Sequence, residues 1–386
     1  MSGSVFREHF ASLPDPRVPR CRRHELIEIL AIALLTLLCG GRGWEDMQAF
    51  AQAKQDWLAQ RLGITLPGGI PTDDTFRRVF GAIDPEAFEC CFRAWVQTMC
   101  QTVRAKSIPL DGKVLRHSFD TATGKNAVHL VRAWASELRL VLGTVAVDDK
   151  SNEIPAVRQL LPLLDLRGAL VTADAAHCQR ETVAQIRRGG GDYLLSLKAN
   201  QPHLLEDTIA CFEQTDRAAC APREWVEAAS GRAYETCTEH DKDHGRLETR
   251  RVCMLRLAEN DPDWEDVQAL WPGLRTLIRI DRTRQLATKT TQETAYYINN
   301  QCKSARFLGR MARQHWQIEN CLHYVLDVSL DEDASRIRAD NSAINLGTMR
   351  NIVMNVLCNK SRDTSSVPRK QKKAGWNNDY LLELFA

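Results

Sequence analysis

Apolar residues along the first hundred positions recur at helical spacing. In "HELIEILAIALLTLLCG", residues 24–40, the apolar run is nearly continuous and stops at Gly40-Gly41, a helix-ending signal. "WEDMQAFAQAKQDWLAQRLG" is amphipathic and also closes on a glycine. Thr72 and Asp73 offer side-chain caps for a helix reaching Phe80, and Asp84-Pro85 starts the next. The pattern predicts a compact helical domain over residues 1–100.

The period then shortens. "KSIPLDG" is a brief apolar run closed by an acid, and "NAVHLVRAWAS" and "LRLVLGTVAVDD" read as strands. "IPAVRQLLPLLDLRG" fits a helix, "ALVTADAAH" a buried strand ending in an acid, "QRETVAQIRRGGG" a helix and "DYLLSLKAN" a further strand. Three strands close enough for a meander, followed by strands alternating with helices, predict a mixed α/β sheet. Residues 205–300 are less regular and β-rich, with strands at "RVCMLRL", "LRTLIRIDRTR" and "ETAYYIN". A long helix begins near Ser304. The expected organisation is an α/β domain over 101–358, interrupted at about 205–300 by a β-rich insertion, and then a basic tail over 359–386.

A chain of 386 residues suits two or three such units. Hydrophobic residues at 44% and charged residues at 26% place it among soluble globular proteins. Thirteen cysteines, an odd number without a CxxC pair, point to reduced thiols in the cytosol rather than a disulfide framework. The apolar run Ile27–Cys39 is shorter than the ~20 residues a bilayer requires and contains Glu28. No small-residue cleavage site follows it, so it reads as a buried helix and no membrane partner is implied.

A net charge of +2 makes no bulk demand for nucleic acid. Two stretches are locally basic. Residues 303–315 carry Lys303, Arg306, Arg310 and Arg313 without an acid, and residues 359–373 carry six Lys or Arg against one Asp. Taken alone, these read as a solvated helix face and a disordered tail.

Three acids carry the chemistry. Asp111 ends the first strand, Asp174 ends a later one, and Glu319 lies on the long helix. Strand ends gather along one edge of an α/β sheet, where ligands bind, and a helix across that edge adds a third carboxylate. Three carboxylates with open positions suit Mg²⁺ better than Zn²⁺. Two such ions ~4 Å apart activate an attacking oxygen and stabilise a leaving one in phosphoryl displacement. Each acid alone reads as a turn residue or surface charge; it is their arrangement that points to a site. Around Glu319, His315 and His323 fall at i−4 and i+4. On a continuous helix the three share a face about a right angle from the apolar stripe of Ile318, Leu322 and Val325. That spacing admits a self-contained metal site, but strand-end acids elsewhere make Glu319 one part of a larger one.

Several stretches together resemble the DDE insertion-sequence transposases of the ISAs type, the family of the H-repeat-associated proteins. They include "GIPTDDTFRRVFGAIDPEAFECCFRAW", "IPLDGKVLRHS", "VTADAAHCQ", "DYLLSLKANQP", "DKDHGRLETR", "ETAYYINN" and "HWQIENCLHYVLDVSLDEDASRIRADN". The resemblance covers nearly the whole chain. It departs at His117, Tyr324, Leu330 and His315, where relatives carry Gly, Trp, Phe and, in the broader DDE group, Arg; no carboxylate is affected.

The resemblance implies a ribonuclease-H-like fold and Mg²⁺-dependent DNA cutting and joining, with two ions and Mn²⁺ as a substitute. Asp111, Asp174 and Glu319 become the catalytic, metal-binding triad. Asp174 follows Asp111 by 63 residues and Glu319 follows Asp174 by 145, an interval that accommodates the insertion. The partners implied are terminal inverted repeats and target DNA, with a homodimer or higher assembly at synapsis. The setting implied is the bacterial cytoplasm at the nucleoid. Two other functions fit the same acids: a metal-dependent nuclease that cuts without joining, and a domesticated DNA-binding protein that no longer cuts.

Other polar residues divide between DNA contact and structure. Lys113 and Arg116 either meet phosphates or balance charge beside the site. His177 and Gln179 follow the second acid and are placed to hold DNA or water. Lys198, Asn200 and Gln201 end a strand near the site. His240 and His244 have metal-ligand spacing, but Gly245 and the dense charge read as a loop; within the same motif Arg246 is a candidate DNA contact and Glu248 has no assigned role. Arg313, His315 and His323 would face DNA from the long helix. Trp316 either stacks on a base or packs internally. Arg336, with Arg338, either contacts phosphate or pairs with Asp331, Glu332 and Asp333.

Overall fold

The computed structural model describes residues 3–100, 105–121, 124–148, 151–218, 225–227, 232–243, 246–286, 288–359 and 363–385. His244 and Gly245 of the charged motif lie outside the described residues. Helices α1 (Gly3–Phe10), α2 (Leu26–Leu38), α3 (Trp44–Ala53), α4 (Gln55–Leu62), α5 (Asp73–Ala82) and α6 (Pro85–Cys100) open the chain. Strands β1 (Ser107–Val114), β2 (His129–Ala135) and β3 (Leu140–Ala146) come after them, then α7 (Glu153–Leu160), β4 (Leu170–Ala173), α8 (Arg180–Arg188), β5 (Asp192–Leu197) and α9 (Pro202–Ala218). Next come β6 (Trp225–Glu227), β7 (Ala233–Asp243), β8 (Arg246–Arg256), α10 (Glu265–Leu270), β9 (Thr276–Gln285), β10 (Thr290–Asn299) and α11 (Ala305–His315). A π-helix, Ile318–His323, leads into α12 (Tyr324–Ser329), α13 (Ser342–Asn359), α14 (Val367–Trp376) and α15 (Asn378–Phe385).

The chain forms two compact units. One comprises Met1–Ala105, Gly112–Asn152 and Glu319–Ala386; the other comprises Lys106–Asp111 and Glu153–Ile318. In the first, α2 is apolar on nearly every side and almost wholly buried, as a central core helix must be. Helix α13 is equally buried yet carries asparagines, which satisfy backbone groups of neighbouring segments or, for Asn351, the Thr144 hydroxyl. Asn345 Nδ2 donates to the carbonyls of Phe80 (2.8 Å) and Ile83 (2.9 Å), while Asn355 exchanges two bonds with Val141 of β3. Each such bond contributes about 1 kcal/mol, and an orphaned buried partner costs more. The Thr72 cap forms, its hydroxyl accepting from Thr75 N at 3.3 Å. The single helix read over 44–63 is two, broken at Lys54.

The basic segment at the C-terminus is not a solvated tail. It folds as α14 and α15, and α14 buries Val367, Lys370, Gln371 and Ala374. Lys370 Nζ donates to the Leu357 carbonyl at 2.6 Å and Gln371 Nε2 to the Leu37 carbonyl at 3.0 Å. Charge counting missed this because long polar side chains cover apolar surface with their stems and cap exposed carbonyls with their heads.

The second unit is built on strands in the order β1-β4-β5-β10-β9-β8-β7-β6. β1, β4 and β5 are parallel and the rest antiparallel, so the sheet is mixed. The parallel strands carry an apolar core, with Ile108, Leu110, Val171 and Leu195 fully buried. The region expected to be β-rich opens instead with α9. Its inward face includes Thr208 and Thr215, whose hydroxyls bond back to Leu204 O and Cys211 O, and these threonines blur the apolar period. Of the "DKDHGR" stretch, Asp241, Lys242, Asp243 and Arg246 belong to the paired strands β7 and β8; the loop expected at Gly245 lies outside the described residues.

Helix α11 packs Leu308, Met311 and Ala312 on Val252, Met254, Ile278 and Ile280. A Cβ at Gly309 would meet Val252 Cγ2 at 2.6 Å, so only glycine permits this approach. Ser304 caps the helix as its position suggests. The helix does not run on as expected: it ends at His315, and Ile318–His323 winds as a π-helix, with i→i+5 bonding.

Candidate active site

Two acids meet in the second unit. β1 and β4 pair in parallel, with Ser107 opposite Leu170 and Pro109 opposite Thr172. Asp111 lies two residues beyond the last β1 position of this pairing, inside β1 rather than at its end as expected, and Asp174 directly follows β4; both carboxylates act on the same His315 imidazole. The sequence of β4 explains the second acid's posture. Asp174 ends the buried run and caps the short 3₁₀ turn Ala175–His177, its Oδ1 accepting from Ala176 N at 3.0 Å. This leaves the side chain about half exposed at the strand end.

Two histidines stand beside the acids. His177 is 1% exposed; its Nε2 lies 3.2 Å from Glu153 Oε2 and 3.8 Å from Asp174 Oδ1. His315, the last residue of α11, places Nδ1 3.1 Å from Thr172 Oγ1, two residues before Asp174. Burial holds the His315 imidazole below its usual range; Asp111 and Asp174 oppose that shift and His177 reinforces it. The neutral ring is therefore favoured. The loop after Asp174 is held from β5's side. Asn200 Nδ2 donates to Ala175 O at 2.7 Å, and Gln201 Nε2 to Cys178 O at 3.0 Å.

Glu319 is exposed at the start of the first unit's last segment, in the π-helix. Among the described residues, no group of three or more His, Cys, Asp or Glu is arranged as a metal site. Asp111 on β1 and Asp174 just after β4 provide hard oxygen donors, a donor set that fits Mg²⁺ or Mn²⁺ and not a thiolate-seeking metal.

The helical-face expectation for His323 fails. The side chain is 6% exposed and influences the buried carboxylate of Glu332. The π winding shifts the angular spacing that the i+4 count assumes. Glu332 forms a fully buried two-pronged pair with Arg132, at 2.7 and 3.0 Å, so of the acids grouped with Arg336 it is internal. Lys113 is paired with Asp327, and Arg116 with Asp333 through its backbone N–H at 3.0 Å. Gln179 bonds the Ala176 carbonyl at 3.2 Å. Lys198, Arg246, Arg313 and Arg336 are exposed, with Arg246 near Glu248 (3.7 Å) and Arg313 on Asp241 (2.5 Å). Trp316 is exposed rather than packed. Sequence reading missed Thr172 and Glu153; only their places, beside a strand-end acid and in a first helical turn, could have flagged them. A cavity of about 490 Å³ in this unit, lined by Arg187, Glu259, Gln268 and Arg275 among others, contains none of these residues.

Two known protein families match the chain. Residues 7–96 match the family described as "DDE_Tnp_1-associated" and residues 98–356 the one described as "Transposase DDE domain". The "Putative transposase YncI" of Escherichia coli O157:H7 is 34% identical over all of this chain and 95% of its own length. The "H repeat-associated putative transposase YhhI" of Escherichia coli K12 is 32% identical over 98% of this chain and 97% of its own. A solved piggyBac transposase synaptic complex with hairpin DNA aligns with a TM-score of 0.40 at 9% identity, over 99% of this chain and 77% of that one; a likeness of that size carries no argument.

Proposed function

The chain belongs to the DDE transposase family, and we propose that it binds the ends of an insertion sequence and catalyses Mg²⁺-dependent strand cleavage and strand transfer. The observation that carries the reading is the pair of carboxylates, Asp111 on β1 and Asp174 just after its parallel neighbour β4, both acting on the same His315 imidazole. Motif order adds Glu319 as the third acid. The β2–β3 antiparallel hairpin and the parallel β1, β4 and β5 support a ribonuclease-H-like core.

Two Mg²⁺ ions bound by these oxygens, or Mn²⁺ in their place, would activate water at neutral pH and stabilise the leaving oxygen. The chain's own residues do the rest. The Ala176 N–H fixes one oxygen of Asp174, and Asn200 and Gln201 hold the turn that carries it. His315, neutral and tied to Thr172, fills the space beside both acids without adding a competing cation. Exposed Lys198, Arg246, Arg313 and Arg336 meet backbone phosphates, with Arg116 and Gln179 near the cut. Lys113, His177 and His323 act from within, by holding neighbouring elements. Synapsis of two ends requires at least a dimer.

The test is cleavage of end-containing DNA with Mg²⁺. Wild type cuts, and Asp111→Ala, Asp174→Ala and Glu319→Ala each abolish cutting while retaining DNA binding. Activity that survives any of the three sinks the assignment.

A further inference from the structure

Helix α14, "VPRKQKKAGW", contains no acid. Its inward face is settled by Val367, Lys370, Gln371 and Ala374. Arg369, Lys372, Lys373 and Trp376 point outward, and all four are exposed. At ~100° per residue these four fall within an arc of about 100°. Lys373 is partnered by Asp363 at 2.5 Å. Arg369 and Lys372 form no ion pair among the described residues. The next acids on the C-terminal side, Asp379 and Glu383, lie on α15, and Asp379 is engaged by Arg61 at 3.1 Å.

Trp376 is 80% exposed. An indole so far from any core is unusual, since tryptophan is among the most heavily buried residues on average. Its place is also fixed. Asn377 N donates to the Lys373 carbonyl at 2.8 Å, and Asn377 Oδ1 accepts from Asp379 N (2.9 Å) and Tyr380 N (3.0 Å). The corner between α14 and α15 thus holds the indole outward on a capped helix end.

We propose that the outer face of α14 is a DNA-docking surface, in which Arg369 and Lys372 neutralise backbone phosphates and Trp376 packs its indole against the nucleotide beside them. The proposal rests on the transposase reading. Unpaired guanidinium and ammonium groups match a polyanion, and an exposed aromatic among them adds a platform for a base or sugar. A lipid surface fits worse, because the face has one aromatic and no apolar stripe to bury.

The experiment uses the full chain and a fluorescently labelled duplex carrying an element end, with anisotropy titrations across salt concentrations. All three positions are exposed, so unfolding curves matching wild type confirm that the fold is kept. Arg369→Ala/Lys372→Ala is expected to reduce the slope of log affinity against log salt by about 2, since each phosphate contact contributes ~0.9. Trp376→Ala is expected to weaken binding roughly tenfold with the slope unchanged. Wild-type slope and affinity in both variants overturn the proposal. So does a change confined to the sedimentation of the free protein, which would make this face a contact between copies. If wild type itself does not bind the duplex, the transposase reading fails along with the proposal, and that result is distinct from variant-only failure.

Discussion

Replacing Glu89 with glutamine removes an ionisable group from the interior of the helical unit, and the change should flatten the pH dependence of stability. Glu89 sits on α6, with Oε1 accepting from Thr144 N of β3 at 2.7 Å and Oε2 3.3 Å from Thr348 Oγ1 of α13. Burial pushes its carboxyl from 4.5 up to about 8, against the opposing pull of the Thr144 N–H, Arg93, Thr348 and Arg132. The folded state therefore binds a proton that the unfolded chain releases above about pH 4.5, and stability falls as pH rises through this window. At pH 6, well below the folded value, the bound proton still contributes roughly 2–3 kcal/mol; by pH 9 that contribution is gone. Glutamine keeps the acceptor for Thr144 and offers an N–H to the threonine oxygen, so packing is preserved. Urea unfolding at pH 6 and pH 9 provides the assay. Wild type should lose about 2–3 kcal/mol more than Glu89→Gln between the two. Parallel losses in the two proteins would refute this reasoning and mean that Glu89 is ionised inside the fold.

Three further outcomes rest on the same structure. Arg132→Met strands the buried Glu332 carboxylate beside Arg350 and should cost about 3–5 kcal/mol, with Arg132→Met/Glu332→Gln recovering part of it in chemical denaturation. Asn200→Ala releases the turn behind Asp174, and should lower cleavage by roughly 10-fold while leaving the unfolding curve nearly unchanged. Thr72→Ala removes the α5 cap and should cost about 1 kcal/mol in unfolding experiments, without altering DNA binding.

Most strands and helices up to β5 were legible because each announces its period, the break at Lys54 between α3 and α4 excepted. "ALVTADAAH" is short, apolar and closed by an acid, and it became β4 with Asp174 at its end. The parallel pairing of β1 with β4, the strands that carry or precede Asp111 and Asp174, is a relation no single strand contains. Helix α9 was hidden by threonines that satisfy their own hydroxyls within the helix. His323 was misplaced because a count of four assumes α winding, and the π-helix breaks it at the segment that carries Glu319. The C-terminal helices were obscured by charge, since Lys370 and Gln371 are buried by carbonyl partners distant in sequence. Basic composition reported the outer face of α14 and concealed the inner one.

Joining DNA, and not merely cutting it, is what separates a transposase from a nuclease with the same acids. The direct measurement supplies an element-end duplex with a free 3′ hydroxyl, a target plasmid and Mg²⁺, and scores covalently joined product. Wild type should give joined product, and Asp111→Ala, Asp174→Ala and Glu319→Ala should give none. Hydrolysed ends without joined product would contradict the proposed function and leave a nuclease.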